Sequence, residues 1–277
     1  MIYQEKKVLC LNKKTTHLMN YKVYGNSEEK IICVHGLTRN SSDFHELAQK
    51  LSKNYQVICP DIAGRGNSDY IDEDSYNYEQ YMQDIFNLFA QESCKKVTWI
   101  GTSMGGILGM LIASLPNSPI KKLVLNDIGT KISKESLDRL SKYVGEDVTF
   151  FSMEEANAYF KKILASFGPM SDESWDYLVK NSIKPGNSGF VPAYDKKIKN
   201  GFLKVTNDID LSSIWKKAEA PTLILRGSNS DLLSKETLKE MVKKDNVQSY
   251  EIPECGHAPS LKQEGQIELI NEWLKTE

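Results

Sequence analysis

A serine set between glycines, a histidine in a late loop and two aspartates after apolar runs are the residues of this chain best suited to covalent chemistry. Gly101-Thr102-Ser103-Met104-Gly105 fits G-x-S-x-G, where a tight turn between strand and helix holds a serine hydroxyl above the carboxyl edge of a sheet. Val97 to Ile100 before it is β-rich and apolar, and Ile107 to Ala113 after it suits a helix. Side chains in place of the two glycines would hold strand and helix too far apart for so sharp a turn. A serine hydroxyl is a weak nucleophile at neutral pH and needs a base, and the base needs an acid to orient it.

The chain has four histidines. His257, in Cys255-Gly256-His257-Ala258-Pro259, falls in a loop between the last strand and the last helix, where it can face the strand ends. His17 lies in an edge hairpin and His45 on a helix, so both read as structural or exposed. For the acid, Asp127 follows the run Leu123 to Asn126 and Asp231 follows Leu223 to Leu225. Either can in principle reach an imidazole. Asp231 is favoured because the strand order before the final histidine loop makes that loop its natural neighbour. The oxyanion of acyl transfer needs two preorganised N–H donors. Met104 supplies one at a helix N-terminus, and Leu37, in His35-Gly36-Leu37-Thr38, is the candidate for the other. His35 then braces that loop.

These residues must be carried by a sheet. Ile31 to Val34, Val57 to Cys59, Val97 to Ile100, Leu123 to Leu125 and Leu223 to Leu225 are apolar runs without polar alternation, as expected of parallel strands buried on both faces. Helical spacing separates them, with Phe44, Leu47, Ala48 and Leu51 on one face and Tyr78, Tyr81, Met82, Ile85, Phe86, Leu88 and Phe89 on another. The alternation predicts a doubly wound α/β sheet. Two strand-like stretches, Lys7 to Leu11 and His17 to Tyr24, suit an antiparallel edge hairpin. The alternation stops after Asn126. Residues 131–215 are expected to form a helical cap inserted after the sixth strand, and 1–130 with 216–277 the core. Phe160, Phe167 and Trp175, with Phe150, Phe151 and Tyr159, are candidates for lining a substrate pocket in that cap.

With 277 residues, 26% charged, 40% hydrophobic and a formal net charge of -2, the composition is that of an ordinary globular chain with no polyanion partner. The N-terminus lacks the apolar stretch of a signal peptide, no segment approaches the roughly 20 apolar residues of a membrane span, and the five cysteines form no C-x-x-C. Buried free thiols and a cytoplasmic location are expected.

Val34-His35-Gly36-Leu37, the run Pro60-Asp61-Ile62-Ala63-Gly64-Arg65-Gly66-Asn67-Ser68-Asp69, the turn Gly101 to Gly106, and Gly256-His257 together resemble the α/β-hydrolase fold family over residues 20–130 and 215–277. The resemblance implies a mostly parallel eight-stranded sheet with helices on both faces and an inserted helical cap. It implies Ser103 as nucleophile, Asp231 as acid, His257 as base, and the amides of Leu37 and Met104 as oxyanion hole. Asp61, Arg65, Gly66 and Ser68 match a family motif that is mainly structural. A serine nucleophile is unlike the aspartate of haloalkane dehalogenases, and Ala258-Pro259 resembles esterases and lactonases. The expected activity is therefore that of a serine esterase-like enzyme cleaving a small, largely apolar carboxylic ester through an acyl-serine. A carbon-carbon bond hydrolase of vinylogous diketones and a non-enzymatic small-ligand receptor on the same fold are the alternatives. No cofactor or metal is implied, since neither a phosphate loop nor metal-ligand spacing is present. The partner is a small-molecule substrate, with no nucleic acid and no membrane.

Overall fold

A computed structural model of the chain describes residues 2–203 and 205–276. Its centre is an eight-stranded sheet of β1 (Gln4–Leu11), β2 (Thr16–Tyr24), β3 (Lys30–Val34), β4 (Gln56–Pro60), β5 (Val97–Thr102), β6 (Ile120–Asn126), β7 (Thr222–Gly227) and β8 (Val247–Ile252). Their order across the sheet is β1-β2-β4-β3-β5-β6-β7-β8. Strands β3 to β8 run parallel, while β1 and β2 form the antiparallel edge hairpin. Every carboxyl end of the parallel part therefore opens on one edge, where such sheets carry their functional groups.

The apolar runs divide between the two faces by alternation. On one face Ile31 and Cys33 of β3 pack with Val57, Val124 and Leu223, against α1 (His45–Leu51) and the C-terminal helix 264–275. On the other, Ile32 and Val34 pack with Ile58, Trp99 and Leu125, against α2 (Tyr78–Gln91) and α3 (Met104–Ala113). The strands lack polar alternation because both faces are covered. Helix α2 starts where the Asn77 side chain accepts from the Gln80 N–H, satisfying one of the free donors of its first turn. Of its expected apolar face, Tyr81, Ile85, Leu88 and Phe89 are buried, but Phe86 is exposed.

Between β6 and β7 the chain forms α4 (Lys134–Ser141), α5 (Met153–Ile163), α6 (Asp172–Lys180), α7 (Lys199–Leu203) and α8 (Ser212–Lys217), with two short antiparallel ribbons. This segment has two parts. Leu137 and Leu140 of α4, with Ile198 and Trp215, join the core of the α2–α3 face. Helices α5 and α6 build a separate cluster of Phe150, Ala156, Phe160, Leu164, Leu178 and Val179, against which Tyr159, Phe167 and Trp175 pack. After β7 come α9 (Lys235–Met241), β8 and α10 (Glu264–Lys275).

All five cysteines are buried free thiols. His17 is buried rather than exposed, with Nε2 on Asp84 Oδ2 at 3.0 Å. His45 stacks on Tyr177 at 4.5 Å. No helix among the described residues is long and apolar enough to cross a membrane.

Candidate active site

Ser103 stands between the end of β5 and the start of α3 with φ 51° and ψ -113°, a left-handed conformation that a non-glycine residue adopts only when its surroundings enforce it. The glycines show what enforces it. A Cβ on Gly101 would lie 2.3 Å from the Gly105 carbonyl oxygen, and one on Gly105 would lie 2.1 Å from the carbonyl oxygen of Val34. Strand β5, helix α3 and strand β3 thus approach to backbone contact, and the serine side chain is what the turn leaves projecting.

The late histidine comes to meet it. His257 Nε2 is 2.9 Å from Ser103 Oγ, and His257 Nδ1 is 2.8 Å from a carboxylate oxygen of Asp127. A carboxylate can only accept, so Nδ1 carries the proton and the lone pair on Nε2 accepts from the serine hydroxyl. The insert holds the histidine loop from the far side. Ser166 Oγ donates to the carbonyl of His257, and the Ser166 carbonyl accepts the Gly256 N–H.

The acid is a correction to the sequence reading. Asp127, one residue beyond the last residue of β6, fills the place expected for Asp231. It is fully buried and accepts from the Gly227 N–H at 2.8 Å on Oδ1, and from Ser230 Oγ at 2.6 Å on the oxygen that meets His257. Asp231 lies four residues beyond β7, after the turn through Ser230, and its carboxylate points away toward the insert. There it pairs with Arg139 of α4, whose Nη2 donates to it at 2.9 Å, while its carbonyl accepts from Ser136 Oγ. Its side chain is half exposed. The loop that was expected to supply the acid instead supplies Gly227 and Ser230, two donors that fix it. Neither was legible as a functional residue. The available signal was that Asp127 follows its strand with no intervening turn.

The Leu37 loop lies where the sequence places it: a Cβ on Gly36 would stand 3.8 Å from Ser103 Cβ. Neither the Leu37 nor the Met104 N–H is taken by a protein acceptor among the described residues, and both residues border the same cavity as Ser103. His35 braces this loop. Its Nδ1 donates to the Gly36 carbonyl at 2.7 Å and its Nε2 accepts the Ile62 N–H at 3.0 Å.

Complete burial pushes His35 down to about 4. Since an unfolded histidine titrates near 6.5, the unfolded chain binds more protons between the two values. The contribution of His35 to stability is therefore full above about pH 6.5 and is lost as the pH falls toward 4, by on the order of 3 kcal/mol. Urea unfolding between pH 7.5 and 4.5 should show a steeper acid loss in the native protein than in His35→Gln. Equal losses would contradict this.

The cavity over Ser103 has a volume of about 380 Å³. Its walls are aliphatic: Ile107, Ile128 and Leu232 from the core, and Ile132, Leu137, Leu140, Ile198 and Ile209 from the insert. Tyr76, Tyr78 and Tyr81, with Glu73 and Asp74, line its polar part. Burial raises the Tyr76 and Tyr78 phenols, so these hydroxyls stay protonated. Tyr76 donates to Asp195 of the insert at 2.7 Å.

The expected pocket aromatics are a second correction. Phe160, Phe167 and Trp175 do not border the cavity. They belong to the α5–α6 cluster, and the Phe167 carbonyl accepts the Ser260 N–H, helping to hold the histidine loop. Phe150 and Tyr159 pack in the same cluster, and Phe151 is exposed. Apolar residues at helical spacing build a private core as readily as a pocket wall.

Comparison with known proteins agrees with this fold. A sequence model of the alpha/beta hydrolase fold matches residues 30–263. The 3-hydroxybutyrate-oligomer hydrolase of Cupriavidus necator is 39% identical over 96% of each chain. An X-ray crystal structure from Rickettsia typhi superposes with a TM-score of 0.93 at 34% identity over the whole of both chains. An alpha/beta hydrolase from Novosphingobium aromaticivorans does so with a TM-score of 0.90 at 32% identity, over 99% of this chain and 98% of its own. The chain belongs to the α/β-hydrolase fold family, and it is a hydrolase.

Proposed function

We propose that this protein is a serine esterase acting on short, largely apolar carboxylic esters, with short 3-hydroxyalkanoate esters as the natural class. The observation that carries the reading is the hydrogen-bonded line Ser103–His257–Asp127 opening into an aliphatic cavity. His257 Nε2 takes the proton of Ser103 as Oγ bonds to the ester carbonyl carbon, and the carbonyl π pair moves onto its oxygen, facing the Leu37 and Met104 N–H groups. When the C–O bond to the alcohol breaks, His257 returns that proton to the departing oxygen. Water then repeats the sequence on the acyl-serine, releasing the acid and restoring Ser103. Asp127 keeps the imidazole in the tautomer this requires and stabilises its charged form.

The walls of the cavity support the acyl class. Aliphatic side chains of the insert and of the core reward a methyl or short alkyl group, and the cavity is near the low end of the roughly 300–1,000 Å³ of small-molecule sites. The polar residues that line part of it, Tyr78 and Glu73 among them, suit a hydroxyl on the acyl chain. The activity named for the Cupriavidus necator relative supports the same class.

A series of p-nitrophenyl esters from acetate to laurate, measured beside a 3-hydroxybutyrate dimer ester, tests this. Efficiency should peak at an acyl length of about four to six carbons, since each methylene a pocket accepts or rejects changes the rate by roughly 10-fold or more. The dimer should be cleaved and a vinylogous diketone left intact. Efficiency that keeps rising to laurate, or a diketone cleaved in preference to esters, would contradict the assignment.

A further inference from the structure

Arg65 takes no part in the reaction as described, yet its guanidinium touches both walls of the oxyanion site. It is completely buried. Its Nε donates to the Leu37 carbonyl at 2.9 Å, Nη1 to the Ala63 carbonyl at 2.7 Å and to the Tyr81 hydroxyl at 2.8 Å, and Nη2 approaches the Met104 sulfur at 3.7 Å. Its guanidinium also lies 5.1 Å from the Tyr81 ring centre and 5.6 Å from that of Tyr76. Leu37, Met104, Tyr76 and Tyr81 all border the cavity.

No carboxylate pairs with Arg65 among the described residues. Asp61, of the same motif, is committed elsewhere, accepting from the Ser41 and Asn67 N–H groups and from Asn20. A buried cation without a counter-ion is strongly disfavoured unless something compensates it. The planar fork explains why arginine fills the position: it reaches acceptors on two separate loops at once, which a lysine ammonium cannot. The Asp195 carboxylate, reached through Tyr76, is held by that hydroxyl rather than by the guanidinium, and a further negative charge develops during turnover, on the oxyanion facing the Leu37 and Met104 amides.

We propose that Arg65 is a positioning residue of the oxyanion hole, joining the Leu37 loop to Met104 and supplying an unpaired positive charge behind the developing oxyanion. The inference rests on Ser103 being the nucleophile. An alkylboronic acid, which forms a tetrahedral anion on a nucleophilic serine, tests it alongside ester kinetics. In R65M, kcat and boronate affinity should fall together by roughly 30-fold, less than the 10²–10³ of deleting a direct oxyanion donor, with KM within about threefold. R65Q, which keeps a donor for the Leu37 carbonyl but no charge, should behave similarly, and R65K should recover part of both losses. The three variants guard against one failing to fold. Folded variants with native kcat and boronate affinity, or with losses confined to KM, would overturn the proposal. If the native protein forms no fluorophosphonate adduct on Ser103, the hydrolase reading of the site fails and this inference with it. If the adduct forms while the Arg65 variants are indifferent, the inference fails alone.

Discussion

Asp127→Asn should lower kcat for a short ester by about 10⁴-fold, the loss expected when a histidine base is left in the wrong tautomer. The surroundings of Asp127 leave an amide no acceptable orientation. One carboxylate oxygen accepts the Gly227 N–H, and the other accepts both Ser230 Oγ and the His257 ring. An NH₂ group in place of either oxygen sets donor against donor, and with the oxygen turned away from His257 it favours the tautomer protonated on Nε2, which cannot take the serine proton. Asp231→Asn is the control. It removes an exposed ion pair with Arg139, a class of interaction contributing at most about 1 kcal/mol, and kcat should stay within about twofold of native. The reverse result, a large loss at Asp231 and a small one at Asp127, would reinstate the acid that strand order favours.

That one exchange shows where the sequence stops speaking. The run from Val97 to Gly106 carries its own geometry. Only glycine tolerates the contacts that Gly101 and Gly105 make with neighbouring backbone, so the spacing of the motif follows directly from the packing of the turn. The strands are equally legible, because burial on both faces removes polar residues from the whole run. The choice between Asp127 and Asp231 depends on which way a side chain points from two adjacent strand ends. Strands β6 and β7 are hydrogen-bonded neighbours, so chain order places both acids near the base and distinguishes neither. What decides is the turn after Gly227, which directs Ser230 inward and Asp231 toward α4.

The wall of the cavity over Ser103 was hidden for a different reason. Leu137 and Leu140 of α4 are an apolar pair at i and i+3, as are Phe160 and Ile163 of α5, and that spacing declares only that a helix has an apolar face. Tertiary placement makes the first pair a wall of the cavity and the second part of a separate cluster. The aromatic content of the insert points to α5 and α6, whereas the cavity over Ser103 is lined by aliphatic residues of α4 and its neighbours. Arg65 is a similar case. Its motif marks a loop-bracing position, but the two loops it joins are brought together only by the fold.

Ser103→Ala should have the largest effect of any single change, lowering turnover by roughly 10⁶-fold and leaving only what the oxyanion donors and binding contribute without a nucleophile. The alanine removes a hydroxyl bonded to His257 and leaves the glycine contacts of the turn intact, so the variant should fold as the native chain does. It also separates covalent catalysis from binding, since the aliphatic cavity survives the change. The most direct measurement is intact-mass analysis with peptide mapping after treatment with a fluorophosphonate. One adduct per chain is expected, on the peptide containing Ser103, absent from Ser103→Ala and greatly slowed in Asp127→Asn. An unmodified native protein, or an adduct that persists in Ser103→Ala, would contradict it.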